Sequence, residues 1–447
     1  MNAVAALFGP SGAAPPMVEG GRIDTLYRRH RFRIMVAITL GYGLSYTCRL
    51  TIGVVKKPLI DQGIFTAAEL GTIGSALFYA YAFGKLFNGF LADHANVRRF
   101  LAFGIFASAL CNFGMGASTH LLPAAMFWGL NGWFQSFGAP ACVVAMTAWF
   151  SNRERGGMYG VWSTSHSIGE GLNFLVVGGI VAAFGWRFGY LVPAVLCTGV
   201  AAAVYLWVRE PPRTMGLPPV AEWRDDRWEG AAGPRTETPV LATQLSILKL
   251  PAVWILALSS AMTYVTRYAI NSWGVLYLQE ARGYSLPAAG GLLFASTVAG
   301  VIGAVAYGYI SDRVFGARRP PANLIFGLLE LAGLGLIFFG PINTAVLMVG
   351  LVLFGLGMTG LITSAGLFAT DICPKRVAGA ALGLIGVFSY LGAAAQEQIS
   401  GLLIGKGSTL VGGVRHYDFG PAILFWIGTS VVSLVLALTL WRAKLRD

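Results

Sequence analysis

Charge is what this sequence has least of. Of its 447 residues only 12% are charged, where a soluble chain would carry about a quarter. That shortage excludes a soluble enzyme. Cysteine is scarce too: Cys48, Cys111, Cys142, Cys197 and Cys373 lie in or beside apolar stretches with no CxxC spacing. Neither a metal site nor a disulfide frame is indicated. Residues 1–20 lack a basic start followed by an apolar core, so no cleaved signal peptide is expected. No nucleotide-phosphate motif and no cofactor motif is present.

What the chain does have is apolar length. Hydrophobic residues make up 55% of it, in continuous blocks of roughly 20, enough to cross a bilayer as a helix. In lipid the backbone must satisfy itself, and unbroken rather than alternating blocks select helices over a barrel. The fold class is therefore an all-α membrane protein. Twelve spans are expected at about 33–55, 70–92, 99–118, 121–148, 157–184, 187–208, 252–278, 287–312, 322–340, 344–370, 377–405 and 420–442. The segment 209–250 is polar and rich in Pro, Gly and charge, and reads as a linker. The predicted organisation is a cytoplasmic tail (1–30), a six-helix bundle (31–208), the linker, and a second bundle with a short tail (251–447).

The net charge of +12 needs no nucleic acid to explain it. Placing both termini in the cytoplasm puts 23 of the 32 Lys and Arg inside, as the positive-inside rule requires. Three cations remain within spans: Arg49, Lys85 and Arg267. A charge inside a bilayer usually faces a partner or a water-filled path.

The two halves echo each other. Arg49 and Arg267 differ by 218, the loop acids Asp93 and Asp312 by 219, and Arg155 and Arg376 by 221. Duplicated halves with a site where they meet are a transporter plan. Arg49 and Arg267 each lie about 22 Å along their helices. A phosphate dianion needs two positive charges, and a guanidinium can donate two parallel hydrogen bonds to it. The competing reading is a structural arginine paired with an acid or carbonyl.

The Gly-x-x-x-Asp-x-x-x-x-Arg loops on twelve spans resemble the major facilitator superfamily. The chain is most similar to its organophosphate:phosphate antiporter family. The stretches that carry this are GYGLSYTCR (41–49), AYAFGKLFNGFLAD (80–93), NGWFQSFGAP (131–140), RERGGMYGVWSTSHSIG (153–169), MGLPPVAEW (215–223), RYAINSW (267–273) and VAGAALGLIGVFSYLG (377–392). The resemblance implies that Arg49 and Arg267 bind phosphate and that Lys85 lies on the substrate path, against the reading that Lys85 snorkels to the interface. It also implies a binding role for His166, whose neutral ring could donate to a phosphate oxygen. Tyr42, Tyr46 and Tyr264 offer hydroxyls or packing. Trp133 and Trp162 read as packing. Asp93, Arg98, Arg155, Asp312 and Arg313 read as latches at the cytoplasmic helix ends.

The sequence also departs from the family. Leu50 stands where a lysine usually follows the first arginine, Ser272 where an acid precedes Trp273, and Thr297 where an eighth-span Glu is usual. The first two losses look like an ion pair removed whole, which costs less than losing one partner. Glu170, one turn after His166, and Glu397 are additional acids. Either is a structural counter-charge, a proton carrier, or the acceptor of a substrate ammonium group. Glu330 has no assigned partner.

The expected function is exchange of a small organic phosphate for inorganic phosphate by a monomer in a bacterial inner membrane. The rival reading is a sugar-phosphate sensor that signals to a histidine kinase, and a further alternative is a carrier of a zwitterionic phosphonate.

Overall fold

A computed structural model describes residues 16–226, 246–372, 378–411 and 414–442. Cys373, Lys375 and Arg376 lie outside the described residues. Among those described, the helices string into twelve rods in the order of the expected spans. Eight are long and apolar enough to cross a membrane. Span 2 (Ala67–His94) is unbroken but diluted by Lys85 and tyrosines, while spans 1, 4 and 7 are interrupted. Span 3 is Val97–Ala117, span 6 Trp186–Trp207, span 8 Leu286–Tyr309, span 9 Arg319–Phe339, span 10 Thr344–Ile372, span 11 Ala378–Lys406 and span 12 Gly420–Thr439. Spans 11 and 12 are joined by a two-stranded antiparallel ribbon with Ser408 opposite Tyr417, which the sequence reading missed.

The interruptions fall around the buried arginines. Span 1 is built of Gly20–Ser45, Thr47–Leu50 and Ile52–Asp61, with breaks at Tyr46 and Thr51 on either side of Arg49. A broken helix frees carbonyls that lipid cannot satisfy. Here Gln135 donates to the Ser45 carbonyl at 2.9 Å, Asn112 and Asn131 to that of Cys48 at 3.0 and 2.8 Å, and Asn173 to that of Leu50 at 3.1 Å. Asn131 and Gln135 of NGWFQSFGAP, together with Asn112 and Asn173, thus hold the irregular turn that carries Arg49. Span 7 consists of Pro251–Tyr268, a π turn Ala269–Trp273 and Gly274–Glu280, so its distortion begins two residues after Arg267. Span 5 (Asn152–Leu172, then a π turn Asn173–Val177, then Gly178–Phe184) distorts just after Glu170. Such π turns widen a helix locally and are frequent at functional sites.

The halves meet where span 2 lies on span 11 and span 5 on span 8. At the end far from the linker this seam is closed. A Cβ on Gly71 would come within 2.9 Å of the Gly401 Cα, and one on Gly290 would overlap the Phe174 carbonyl. Small residues permit this close approach, which packing alone must hold because lipid gives helices no hydrophobic drive to associate.

The amino-terminal tail is structured in its described part. From Gly20 it is helix, continuous with span 1. The linker folds back on it: the Trp223 ring stacks on Tyr27 at 4.2 Å, its indole donates to Asp24 at 2.6 Å, and Val18 N–H donates to the Gly216 carbonyl at 2.9 Å. Arg31 pairs with Glu154 at 2.7 Å and lies 5.2 Å over Trp223, so MGLPPVAEW is a docked element rather than a free tether.

Candidate functional site

On the linker side the halves part around a cavity of about 730 Å³. Its inner walls carry Tyr46, His166, Glu170, Tyr264, Arg267 and Tyr390, drawn from spans 1, 5, 7 and 11. Behind the Tyr46 and Tyr390 rings lies Arg49. It is 1% exposed, and among the described residues no carboxylate pairs with it. The guanidinium instead lies over four rings: Tyr81 at 4.1 Å, Tyr390 at 5.0 Å, Tyr46 at 5.2 Å and Phe78 at 5.9 Å. Cation–π contacts offset part of the desolvation, up to about 2 kcal/mol when dry. They do not replace a counter-charge, and an unpaired buried charge costs several kcal/mol.

Arg267 sits differently. It is partly exposed to the cavity, lies 5.6 Å from both the Tyr264 and Tyr268 rings, and donates to Glu170 at 3.3 Å across the seam. The other Glu170 oxygen accepts from Thr297 at 3.2 Å. Thr297, at the position where the family's eighth-span acid was missed, therefore serves the fifth-span acid instead. Lys85 does not snorkel: its ammonium reaches span 11, 5.2 Å from the Tyr390 ring and against Gly386.

His166 packs edge-on against Tyr42, Tyr46 and Trp162 at 5.4, 5.2 and 5.4 Å. Its Nδ1 lies 3.0 Å from the Ser163 carbonyl and carries the proton when it donates there. The neutral ring then offers an acceptor at Nε2. In that tautomer, donation to a phosphate oxygen needs the protonated ring; the other neutral tautomer would donate from Nε2. Tyr42 is buried behind this cluster and does not line the cavity.

Glu397 is not in the cavity. It is fully buried, accepting from Lys56 at 2.9 Å and from the Trp273 indole at 2.9 Å. Lys56 also donates to Ser272 at 2.7 Å and lies 3.4 Å over the Trp273 ring. The ion pair expected to have been deleted whole is thus present with other partners, joining span 1 to spans 7 and 11 near the closed end. Lys56 lies one residue past the expected end of span 1 and is wholly buried. Two signals pointed to it: it follows Arg49 by two helical turns, and an unassigned acid lay in span 11.

The latch residues divide. Asp312 pairs, but with Arg319 at 2.6 Å, and Arg319 also grips Asp371 at 2.6 Å. Arg313 is exposed and takes no part in that cluster. In the first half Asp93 is exposed, and Arg98 donates to the Tyr205 carbonyl rather than to Asp93. Arg155 donates to the Thr147 and Phe150 carbonyls at 3.3 and 3.2 Å and so caps the end of span 4. Glu330 is buried in span 9, accepting from Ser430 at 2.8 Å, and is a packing group between spans 9 and 12. Cys48, Cys111, Cys142 and Cys197 are buried free thiols.

The profile of the Major Facilitator Superfamily matches residues 38–396. The chain is 35% identical over 392 residues to the membrane sensor protein UhpC of Salmonella typhimurium, covering 85% of this chain and 87% of that one. It is 31% identical to a probable hexose phosphate transport protein of Chlamydia pneumoniae, covering 99% and 98%. Among solved structures it superposes with a TM-score of 0.72 on a bacterial homologue of the lysosomal transporter Spinster in an inward-facing, unoccupied conformation, at 17% identity and 92% and 96% coverage. The architecture is that of a membrane transporter and not of an enzyme. With a broken first span around a buried arginine, a matching seventh span and these relatives, the chain belongs to the major facilitator superfamily and, within it, to the organophosphate:phosphate antiporter family.

Proposed function

We propose that the protein is a secondary transporter that exchanges a small organic phosphate for inorganic phosphate by rocking its two halves around the cavity. Arg49 carries the reading: a dry cation without a carboxylate, one ring's thickness from a cavity that also holds Arg267. A phosphate dianion that displaced the Tyr46 and Tyr390 rings would supply the missing counter-charge. One chain holds both arginines, so a monomer suffices. The charge distribution supports cytoplasmic termini in a bacterial inner membrane, with the cavity open to the cytoplasm.

The zwitterion alternative keeps one acceptor of its two: Glu397 holds Lys56 away from the cavity, whereas Glu170 would be released where phosphate draws Arg267 from it. Glu170 also alters the argument for obligatory exchange. The empty cavity is not two bare arginines repelling each other, since Arg267 already has a resident anion. The 35% identity to a membrane sensor favours one second reading, ligand sensing without accumulation. Vesicles loaded with phosphate decide between them. Exchange of labelled phosphate, inhibited by a hexose or glycerol phosphate, supports the transporter. Saturable binding without exchange refutes transport and supports the sensor.

A further inference from the structure

Four arginines that the cavity does not use gather where spans 1 and 6 leave the apolar layer on the linker side. Arg29 and Arg33 are one turn apart on the span 1 helix, Arg98 opens span 3, and Arg209 lies just beyond span 6. Contacts around them tie these elements into one corner. Arg98 donates to the Tyr205 carbonyl and lies 4.0 Å over the Tyr205 ring. The Arg209 carbonyl accepts from Trp149 at 3.4 Å, and the Trp149 ring is 5.6 Å from that of His30, between Arg29 and Arg33 in the chain.

The positive charge there is only partly offset. Among the described residues no carboxylate forms an ion pair with Arg29, Arg33 or Arg209. Glu210, next to Arg209, accepts from Asn96 at 2.6 Å and is a carboxylate within the corner, while Asp24 pairs with Arg28 at 3.6 Å. Burial, and then the charges of Arg209, Arg33 and Arg29, push the His30 ring below the usual histidine range. Burial and then Arg98, Arg33 and Arg29 lower Arg209 in the same way. Beside the cluster, Phe32, Leu206 and Trp207 expose large apolar surfaces (69%, 59% and 41%).

We propose that this corner is a binding site for an anionic phospholipid, its headgroup phosphate held by Arg29, Arg33, Arg98 and Arg209 and its acyl chains lying along spans 1 and 6. Setting topology would need only the number of basic residues on this side. It does not explain why four of them converge, with Arg98 pinned by a carbonyl and a ring, beside exposed apolar side chains. A basic pocket between helices at the cytoplasmic boundary is what an acidic headgroup recognises. The apolar neighbours select a lipid over a soluble anion. The same helix holds the linker through Tyr27 and Arg31, so an occupied site would brace the docked linker from the opposite side.

The test uses the full chain in nanodiscs of phosphatidylcholine alone or with a third phosphatidylglycerol. The anionic lipid should raise the melting temperature by about 2–4 °C. The triple variant R29Q/R33Q/R209Q should lose most of that rise while melting like the wild type in phosphatidylcholine. If the triple variant does not fold, Arg209→Gln alone should lose a measurable part of the rise. A rise of equal size in the variants, or none in the wild type, overturns the proposal. Inorganic pyrophosphate added to phosphatidylcholine discs should give no shift that depends on these arginines. If it does, the site takes a soluble anion and the lipid assignment is wrong.

Discussion

Arg49 and Arg267 occupy matching turns of spans 1 and 7, yet their surroundings are opposite. Arg49 is dry, caged by Tyr46, Phe78, Tyr81 and Tyr390, and has no acid. Arg267 is wetter, and Glu170 faces it across the seam. Duplication placed two equal cations at equal depth, and the neighbours then made them unequal. The first is a vacancy for negative charge. The second is an occupied site whose occupant must give way.

The difference can be broken at Arg49 first. Arg49→Gln should reduce phosphate-ester affinity by about 100-fold or more, since it removes the one guanidinium that gains most from the ligand. Arg267→Gln should cost less, because part of what Arg267 gives the ligand goes into breaking its pair with Glu170. Equal losses in equilibrium binding would remove the asymmetry. Next in size is the buried pair at the closed end. Lys56→Gln or Glu397→Gln alone should destabilise the protein by about 3–5 kcal/mol, whereas replacing both with apolar residues should cost far less. Melting curves of the two singles and the double would show this, and additive losses would argue against a coupled pair.

A finer test sharpens the comparison by making the two sites alike. Glu170→Gln removes the resident anion from Arg267, and inorganic phosphate should then bind about 3- to 10-fold more tightly, a shift of order 1 kcal/mol. Were Glu170 only a structural brace, the same change would weaken binding and lower the melting temperature. The smallest effect is expected outside the membrane, at Arg31–Glu154. Partial burial pushes the Glu154 carboxyl up, but the bond and charge of Arg31, the Ser151 N–H and Arg224 outweigh it and hold it below its usual range. A carboxyl lowered on folding stabilises at pH above its unfolded value, near 4.3, and loses that contribution as pH falls through the lower folded value. Glu154→Gln should therefore cost about 0.5 kcal/mol at neutral pH, given its solvent exposure. The gap to the wild type should close below about pH 4. A gap that persists in acid would mean the clamp is not electrostatic.

Composition and the repeat made the bundle, the two arginines and their common depth legible, because span length and charge cost act locally. Partnership was less legible, since it depends on which rods meet. Lys56 lies just past the expected end of span 1, yet span 11 brings Glu397 to it. Tyr390 stood in a quoted stretch, but nothing local marked it as the ring between Arg49 and Lys85. Arg319, not Arg313, holds Asp312, and only the turn at the end of span 8 decides which arginine of that loop faces the acid. The docked linker escaped notice because its hold is long-range: a Trp223 ring on a Tyr27 ring across nearly 200 residues.

The most direct measurement is calorimetric binding of glucose 6-phosphate and inorganic phosphate to wild type, R49K and R267K. Lysine keeps the charge but loses the planar fork. The account predicts that R49K loses measurable binding of both ligands while R267K keeps a weakened but saturable site. Undiminished binding by R49K would contradict the claim that the uncompensated arginine of span 1 is the phosphate anchor.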